Sequence, residues 1–199
     1  MKANPIIEHL NLLKDHIQPI AVFSEEDWEE FFKLWKTVKI PKRRVLTRQG
    51  EIEPYLYFVI EGVQRIYHLS EEGKETTIIF SYPHSFSGVL DSALTNSSSE
   101  YYFETLSESI LLKASASEFL ELANKRPAIS QFIRIALAHN IKGLLTRLVE
   151  IQSLKAEEKF RFFMARSPHM LHIVPHRYLA NYLGIDPTNF SKFINKIII

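Results

Sequence analysis

The sequence predicts an α+β fold: an antiparallel β-roll flanked by helices, then one long helix, then a C-terminal helix-turn-helix. Three observations predict it. Residues 37–115 alternate short β-rich runs with turn residues. Pro127 opens an apolar helical pattern that continues to about Leu154. The last 24 residues, His176 to Ile199, space apolar and small residues as two helices crossing at a steep angle require.

A chain of 199 residues suits one large domain or two small ones, and 46% hydrophobic content is enough for a packed core. There is no cysteine, so disulfides, thiol catalysis, thiolate zinc sites and cysteine-held iron–sulfur clusters are excluded. No apolar run approaches a membrane span and no signal peptide is recognisable at Met1–Leu13, so a cytoplasmic protein without a membrane partner is expected. The net charge of +1 hides an asymmetry. Residues 153–199 carry seven Lys/Arg against three acids, while the rest is slightly acidic. A basic tail on a mildly acidic body is what a small phosphate-contacting domain requires.

Residues 1–35 read as helical, with turns broken at Pro5 and Pro19. Ser24 with Asp27 suggests a cap, and Trp28, Phe31, Phe32 and Trp35 recur at helical spacing. Six β runs follow: Arg44–Thr47, Tyr55–Glu61, Val63–Leu69, Glu75–Tyr82, Tyr101–Thr105 and Ser109–Lys113. Glycines 50, 62, 73 and 88 punctuate them, and Glu71-Glu72-Gly73-Lys74 reads as a hairpin turn. Next comes a short helix, Ser117–Asn124, capped by Ser117. In the long helix Leu137, Ile141, Leu144, Leu148 and Ile151 step by four, three, four and three, a coiled-coil seam. Ala138, Leu145 and Val149 form a second apolar row, so one side can pack on the roll and the seam on a second copy. Lys155–Met170 reads as a further helix anchored by Phe160, Phe162 and Phe163. The domains predicted are 1–126 β-roll, 127–154 dimerisation helix and 155–199 helix-turn-helix domain.

The final motif carries the firmest chemical signal. Leu179, Leu183, Ile185, Phe190 and Phe193 are its apolar positions, and the small Ala180 allows close helix approach. Gly184 supplies the turn, Asp186 caps the second helix and Pro187 takes its first position. With Phe190, Phe193 and Ile194 inward, Thr188, Asn189, Ser191, Lys192 and Asn195 are left for solvent or DNA. Asn189 suits bidentate bonding to adenine, and Lys192 suits guanine or phosphate. Arg177 and Lys196 are expected phosphate contacts.

The ordered set RRVLTRQGE (43–51), YLYFVIEGVQRIY (55–67), LSEEGKETTIIF (69–80), FSG (86–88), SLKAEEKFRFFM (153–164) and PHRYLANYLGIDPTNFSKFINKI (175–197) resembles the Crp/Fnr family of bacterial transcription regulators over nearly the whole chain. The resemblance implies a cyclic-nucleotide-binding-like jelly roll as sensor and a winged-helix-like helix-turn-helix as DNA-binding domain. It also implies a homodimer on double-stranded DNA with half-sites about one helical turn apart, RNA polymerase as a further partner, no cofactor and no enzymatic activity. The competing reading is a sensor or scaffold dimer whose DNA-binding domain has decayed.

The ligand cassette departs from the family pattern. Members that bind cyclic AMP hold ribose and phosphate with the short helix after Gly88, a Glu and an Arg. Here Val89 stands at the Glu position, and Ser99-Glu100 at the Arg-Ser pair. No Arg or Lys occurs between Lys74 and Lys113. The degenerate cassette would comprise Gly88, Val89, Leu90, Ser98, Ser99, Leu144 and Leu145, the two leucines standing where relatives place purine-contacting hydroxyls. Cyclic AMP is therefore not the expected effector; an apolar or neutral ligand, or none, is.

Three constellations carry less. His169, His172 and His176 are interrupted by Pro168 and Pro175, which argues against a metal site. His68 and His84 stand alone, without the His-x-His pair of a barrel metalloenzyme. The basic run Lys39–Arg48 reads as a solvated edge of the roll.

Overall fold

The computed structural model describes residues 5–197; expectations for residues 1–4 and 198–199 lie outside them. Two helices lead, α1 (Pro5–Ile17) and α2 (Glu25–Lys33). Pro5 is the first described residue, so the break expected there lies at the edge of the described residues, while α1 ends at Ile17, before Pro19, as expected. Ser24 caps α2 with a complete capping box: Asp27 N–H donates to the Ser24 hydroxyl, and Ser24 N–H donates to the Asp27 carboxylate.

Eight strands build the roll: β1 (Lys36–Ile40), β2 (Val45–Thr47), β3 (Tyr55–Glu61), β4 (Gln64–Leu69), β5 (Glu75–Ser81), β6 (Phe86–Ser87), β7 (Tyr102–Thr105) and β8 (Ser109–Ser115). They form two antiparallel four-stranded sheets, ordered β1-β8-β3-β6 and β2-β7-β4-β5, so β5 and β6 are free edges. Strand β5 carries a bulge: Ile66 pairs with Ile79 but Tyr67 pairs with Thr77, leaving Ile78 as the extra residue. Strand β3 is apolar from Tyr55 to Ile60 because both its faces are buried there, and only its last residue, Glu61, is exposed. Leu56, Phe58 and Ile60 pack under the helices, while Tyr57 and Val59 point into the roll. Sequence periodicity did not expose β1, β6 or the short helix α3 (Leu90–Thr95) between β6 and β7.

Helices α4 (Ala116–Lys125) and α5 (Pro127–Ser153) complete the first unit. The cap of α4 is Ser115, whose hydroxyl accepts from Glu118 N–H, rather than Ser117. Phe31 is fully buried at the centre of an aromatic cluster with Phe23, Trp28, Trp35, Phe119 and Phe132. That cluster joins α2, α4, α5 and the outer face of the β3 sheet. The second unit is α6 (Ala156–Arg166), α7 (Met170–Ile173), α8 (His176–Leu183) and α9 (Pro187–Ile197). The helix expected over 155–170 ends at Arg166, with a turn before α7. Phe162, expected as an anchor, is 52% exposed because Phe160 and Phe163 occupy the inward face. Among the described residues this unit is all helical.

Phe31→Ala removes the hub of the aromatic cluster. Urea unfolding is expected to show a loss of about 3–5 kcal/mol, and a loss below about 1 kcal/mol would contradict the cluster's role.

Candidate nucleic-acid interface and sensor cavity

The reader is built from α8 and α9. Gly184 ends α8 in the left-handed region (φ 62°) and donates to Asn181 O, closing the turn without a Cβ penalty. The Asp186 carboxylate accepts from Thr188 N–H at 2.9 Å and Asn189 N–H at 3.2 Å, capping α9. Phe190 is buried against Phe160 and near His176, which fixes the opposite face of α9 outward. Arg177, Thr188, Asn189, Ser191, Lys192, Asn195 and Lys196 are all exposed. Ser191 spends its hydroxyl on Pro187 O, Lys196 sits 3.4 Å from Glu157, and Arg177 lies over the Tyr178 ring. Side chains of Thr188, Asn189, Lys192 and Asn195 form no bond among the described residues.

The opposite face of α8 is docked on the roll, through contacts invisible to sequence periodicity. Asn181 treats the free edge of β5 as a strand would: its Oδ1 accepts from Thr77 N–H at 2.6 Å, and its Nδ2 donates to Glu75 O at 2.9 Å. Arg65, 2% exposed, pairs with Glu75 and Glu104 at 2.6 Å each. Its guanidinium lies between the rings of Tyr67 (4.1 Å) and Tyr178 (3.9 Å). Arg147 of α5 stacks on Tyr182 and donates to Tyr182 O at the end of α8. Residues Tyr178, Asn181 and Tyr182 thus share one helical face. The basic run read as a solvated edge is exposed, and the structure seats Lys42 and Arg43 beside Arg177 around a cavity of about 240 Å³.

The second candidate site is a cavity of about 290 Å³ between the free edges β5 and β6, closed by α3 and α5. Gly88, Val89, Leu90 and Leu144 line it, as expected of the cassette. Ser98, Ser99 and Leu145 do not. Ser99 bonds within its own turn to Tyr101, Ser98 is exposed, and Leu145 faces away on α5. No Lys, Arg or His is among the lining residues. The unforeseen residue here is Glu53. It is 1% exposed, and its carboxylate accepts from the Thr47 hydroxyl and Tyr55 N–H, with the Tyr57 hydroxyl and Val89 N–H close enough to favour its charged form. Its own N–H donates to Ser92 Oγ at 2.9 Å. A cassette N–H, that of Val89, therefore lies beside the chain's own carboxylate. Burial outweighs these donors and pushes the Glu53 pKa up to about 7.

Past the roll, α5 leaves its apolar stripe uncovered: Ile141, Leu144, Leu148 and Ile151 are 41–56% exposed, and Leu145 and Val149 more so. Leu137 is half-buried beside the cavity. The three C-terminal histidines separate: His169 meets the Tyr82 ring, His176 the Phe190 ring, and His172 faces solvent.

A cyclic nucleotide-binding domain family matches residues 37–126. Among characterised proteins, the chain is 22% identical over 175 residues to the regulatory protein HlyX of Actinobacillus pleuropneumoniae, covering 79% of this chain and 69% of that one. It is 23% identical over 171 residues to the anaerobic regulatory protein of Pasteurella multocida, covering 79% and 61%. Among solved structures, FixK2 from Bradyrhizobium japonicum superposes with a TM-score of 0.73 at 16% identity, covering 82% of this chain and 84% of that one. The Thermus thermophilus catabolite activator protein gives 0.54 at 18% identity, covering 88% and 84%. At these identities the structural likenesses show the fold.

Because Glu53 holds its proton more tightly folded than unfolded, it favours folding fully below its ordinary value of 4.5, and that contribution is lost as pH rises through about 7. The ionised form costs about 3 kcal/mol above that range. Urea unfolding at several pH values is expected to show Glu53→Gln flattening this decline. Parallel curves for both proteins would refute the assignment.

Proposed function

We propose that this chain, which belongs to the Crp/Fnr family, is a DNA-binding transcription regulator that acts as a homodimer and does not take cyclic AMP as its trigger. The observation that carries the DNA reading is α9: a capped helix with an anchored inner face and Thr188, Asn189, Lys192 and Asn195 unengaged outward. Asn189 and Lys192 are its base readers, with Thr188 and Asn195 beside them. Arg177, Ser191 and Lys196 position the phosphate backbone. Lys42 and Arg43 extend the basic surface around Arg177. This unengaged face favours DNA over the scaffold reading.

Residues 1–126 serve as sensor, 127–154 as dimerisation helix and 155–199 as reader. The uncovered stripe Ile141, Leu144, Leu148 and Ile151, continued by half-buried Leu137, supports pairing of two α5 helices, because water contact along such a row is costly and a second copy buries it. Two readers on a twofold axis then meet successive major grooves. Two further features support insensitivity to cyclic AMP. The Glu53 carboxylate lies beside Val89 N–H, and no cation is among the residues that line the cavity. A phosphodiester there would forgo a charge-assisted pair of roughly 1.5–3 kcal/mol and face the Asp91 carboxylate. The absence of cysteine excludes sensing through a thiol or a cysteine-held cluster. No helix among the described residues is long and apolar enough to cross a membrane, which agrees with a cytoplasmic regulator that meets RNA polymerase at promoters.

Lys192→Ala is expected to weaken binding to the promoter of the protein's own operon and to lower the salt slope by about 1. Anisotropy titrations at several salt concentrations measure both, and unchanged affinity and slope would refute the role. Leu148→Glu is expected to yield monomers in sedimentation velocity, with a persistent dimer as the contrary result. Calorimetry is expected to show no saturable heat with cyclic AMP. Micromolar binding would overturn the sensor reading.

A further inference from the structure

We propose that the β-roll cavity binds a small, uncharged, mostly apolar ligand that offers one hydrogen-bonding group to the Ser87 hydroxyl. The proposal rests on the reading that the cassette no longer takes a cyclic nucleotide. Its central observation is an orphan. Ser87 lies on the edge strand β6, is 2% exposed, and lines the cavity between β5 and β6. Its Oγ has no hydrogen-bond partner among the described residues. A buried hydroxyl without a partner destabilises the fold that holds it, so such a group calls for a reason. The neighbouring serines show the contrast: Ser92 bonds Glu53 N–H and Ser97 O, and Ser99 bonds Tyr101.

The rest of the cavity defines what would meet that hydroxyl. Its walls include Ile66, Ile79, Phe86, Val89, Leu137 and Ile141, so the body of the occupant must be apolar. An anion finds no cation, and Asp91 at the rim repels it. The N–H that would serve an anion, that of Val89, sits beside the Glu53 carboxylate, which would repel that anion. A cation fares no better: Glu53 is 1% exposed, bonded to Thr47 and Tyr55 and not among the lining residues, and Asp91 is exposed to water. An uncharged molecule with a single hydroxyl or carbonyl satisfies the walls and the orphan together. A volume of about 290 Å³ suits something of one or two rings or a short branched chain. Such an occupant would touch β5, on which the reader is docked, and α5, which carries the dimer seam.

Three matched probes test this at pH 7 on the full chain: 1-naphthol, naphthalene and 1-naphthyl phosphate, titrated by calorimetry and fluorescence. The expected result is saturable binding of 1-naphthol at one per protomer, with the phosphate ester at least tenfold weaker. Ser87→Ala is expected to weaken 1-naphthol about five- to tenfold, to the level of naphthalene, while naphthalene is unchanged. Ile79→Phe, which fills the cavity, should abolish binding of both. Without ligand, Ser87→Ala should melt no lower than the parent, since it removes an unmet polar group and breaks no bond. The proposal is overturned if neither neutral probe binds, if the phosphate ester binds as tightly as the alcohol, or if Ser87→Ala leaves the alcohol's advantage over naphthalene intact. Cyclic AMP displacing 1-naphthol would instead defeat the cassette reading itself, so the two failures are distinguishable.

Discussion

An edge strand must find partners for its backbone, and in this molecule that requirement ties the two units together. Strand β5 ends its sheet with free N–H and C=O groups. At Thr77 and Glu75 they are met by the side-chain amide of Asn181, which donates and accepts at the spacing of a peptide. The reader helix thereby becomes a surrogate fifth strand. Beside it the buried Arg65 must keep its carboxylates, because losing either partner would leave a desolvated charge. The Tyr178 ring over Arg65 makes the same helix part of that balance. The orientation of the reader on the roll thus follows from hydrogen-bond and charge satisfaction at one edge, with apolar packing of Phe80 and Tyr82 filling in around it.

Helix α5 answers a different demand. Its first turns bury Ile129 and Phe132 against the roll, so they need nothing further. Its later turns outrun the roll and keep the same apolar density with no surface to press on. One helix therefore serves two environments, and its average amphipathicity is low because the apolar residues face different partners at its two ends. Arg147 and Glu150, near the far end, reach back to Tyr182 and Arg166, so the segment that would pair with a second copy also grips the reader.

Features written in neighbouring residues were legible in the sequence. The Ser24–Asp27 box, the Gly184–Asp186–Pro187 turn, the stepping of Leu137 to Ile151 and most of the strands depend on residues within a few positions of each other. What stayed hidden was set by distant residues or by very short elements. Strand β1, KTVKI, alternates lysines that read as surface, and β6 spans two residues. Helix α3 starts at Val89 without a side-chain cap. Ser115 and Ser117 are equal candidates to cap α4, and only geometry separates them. Glu53 looks like an ordinary turn acid between Gly50 and Pro54, because its partners arrive from residues 47, 57 and 89. Asn181 bonds partners 104 and 106 positions away, a distance no periodicity reports. In the candidate site, the outward residues of α9 could be read ahead and the contents of the cavity only in part.

The bulge in β5 bears on how any message could cross the molecule. Ile78 is a surplus residue stored between Thr77, which Asn181 grips, and Ile79, which walls the cavity. Side chains alternate along a strand, so such a residue cannot drift by a fraction of its length: relocating it by one place turns a neighbour from one face to the other. The surplus residue therefore ties the pairing next to the Asn181 grip to the pairing at the cavity wall in whole-residue steps.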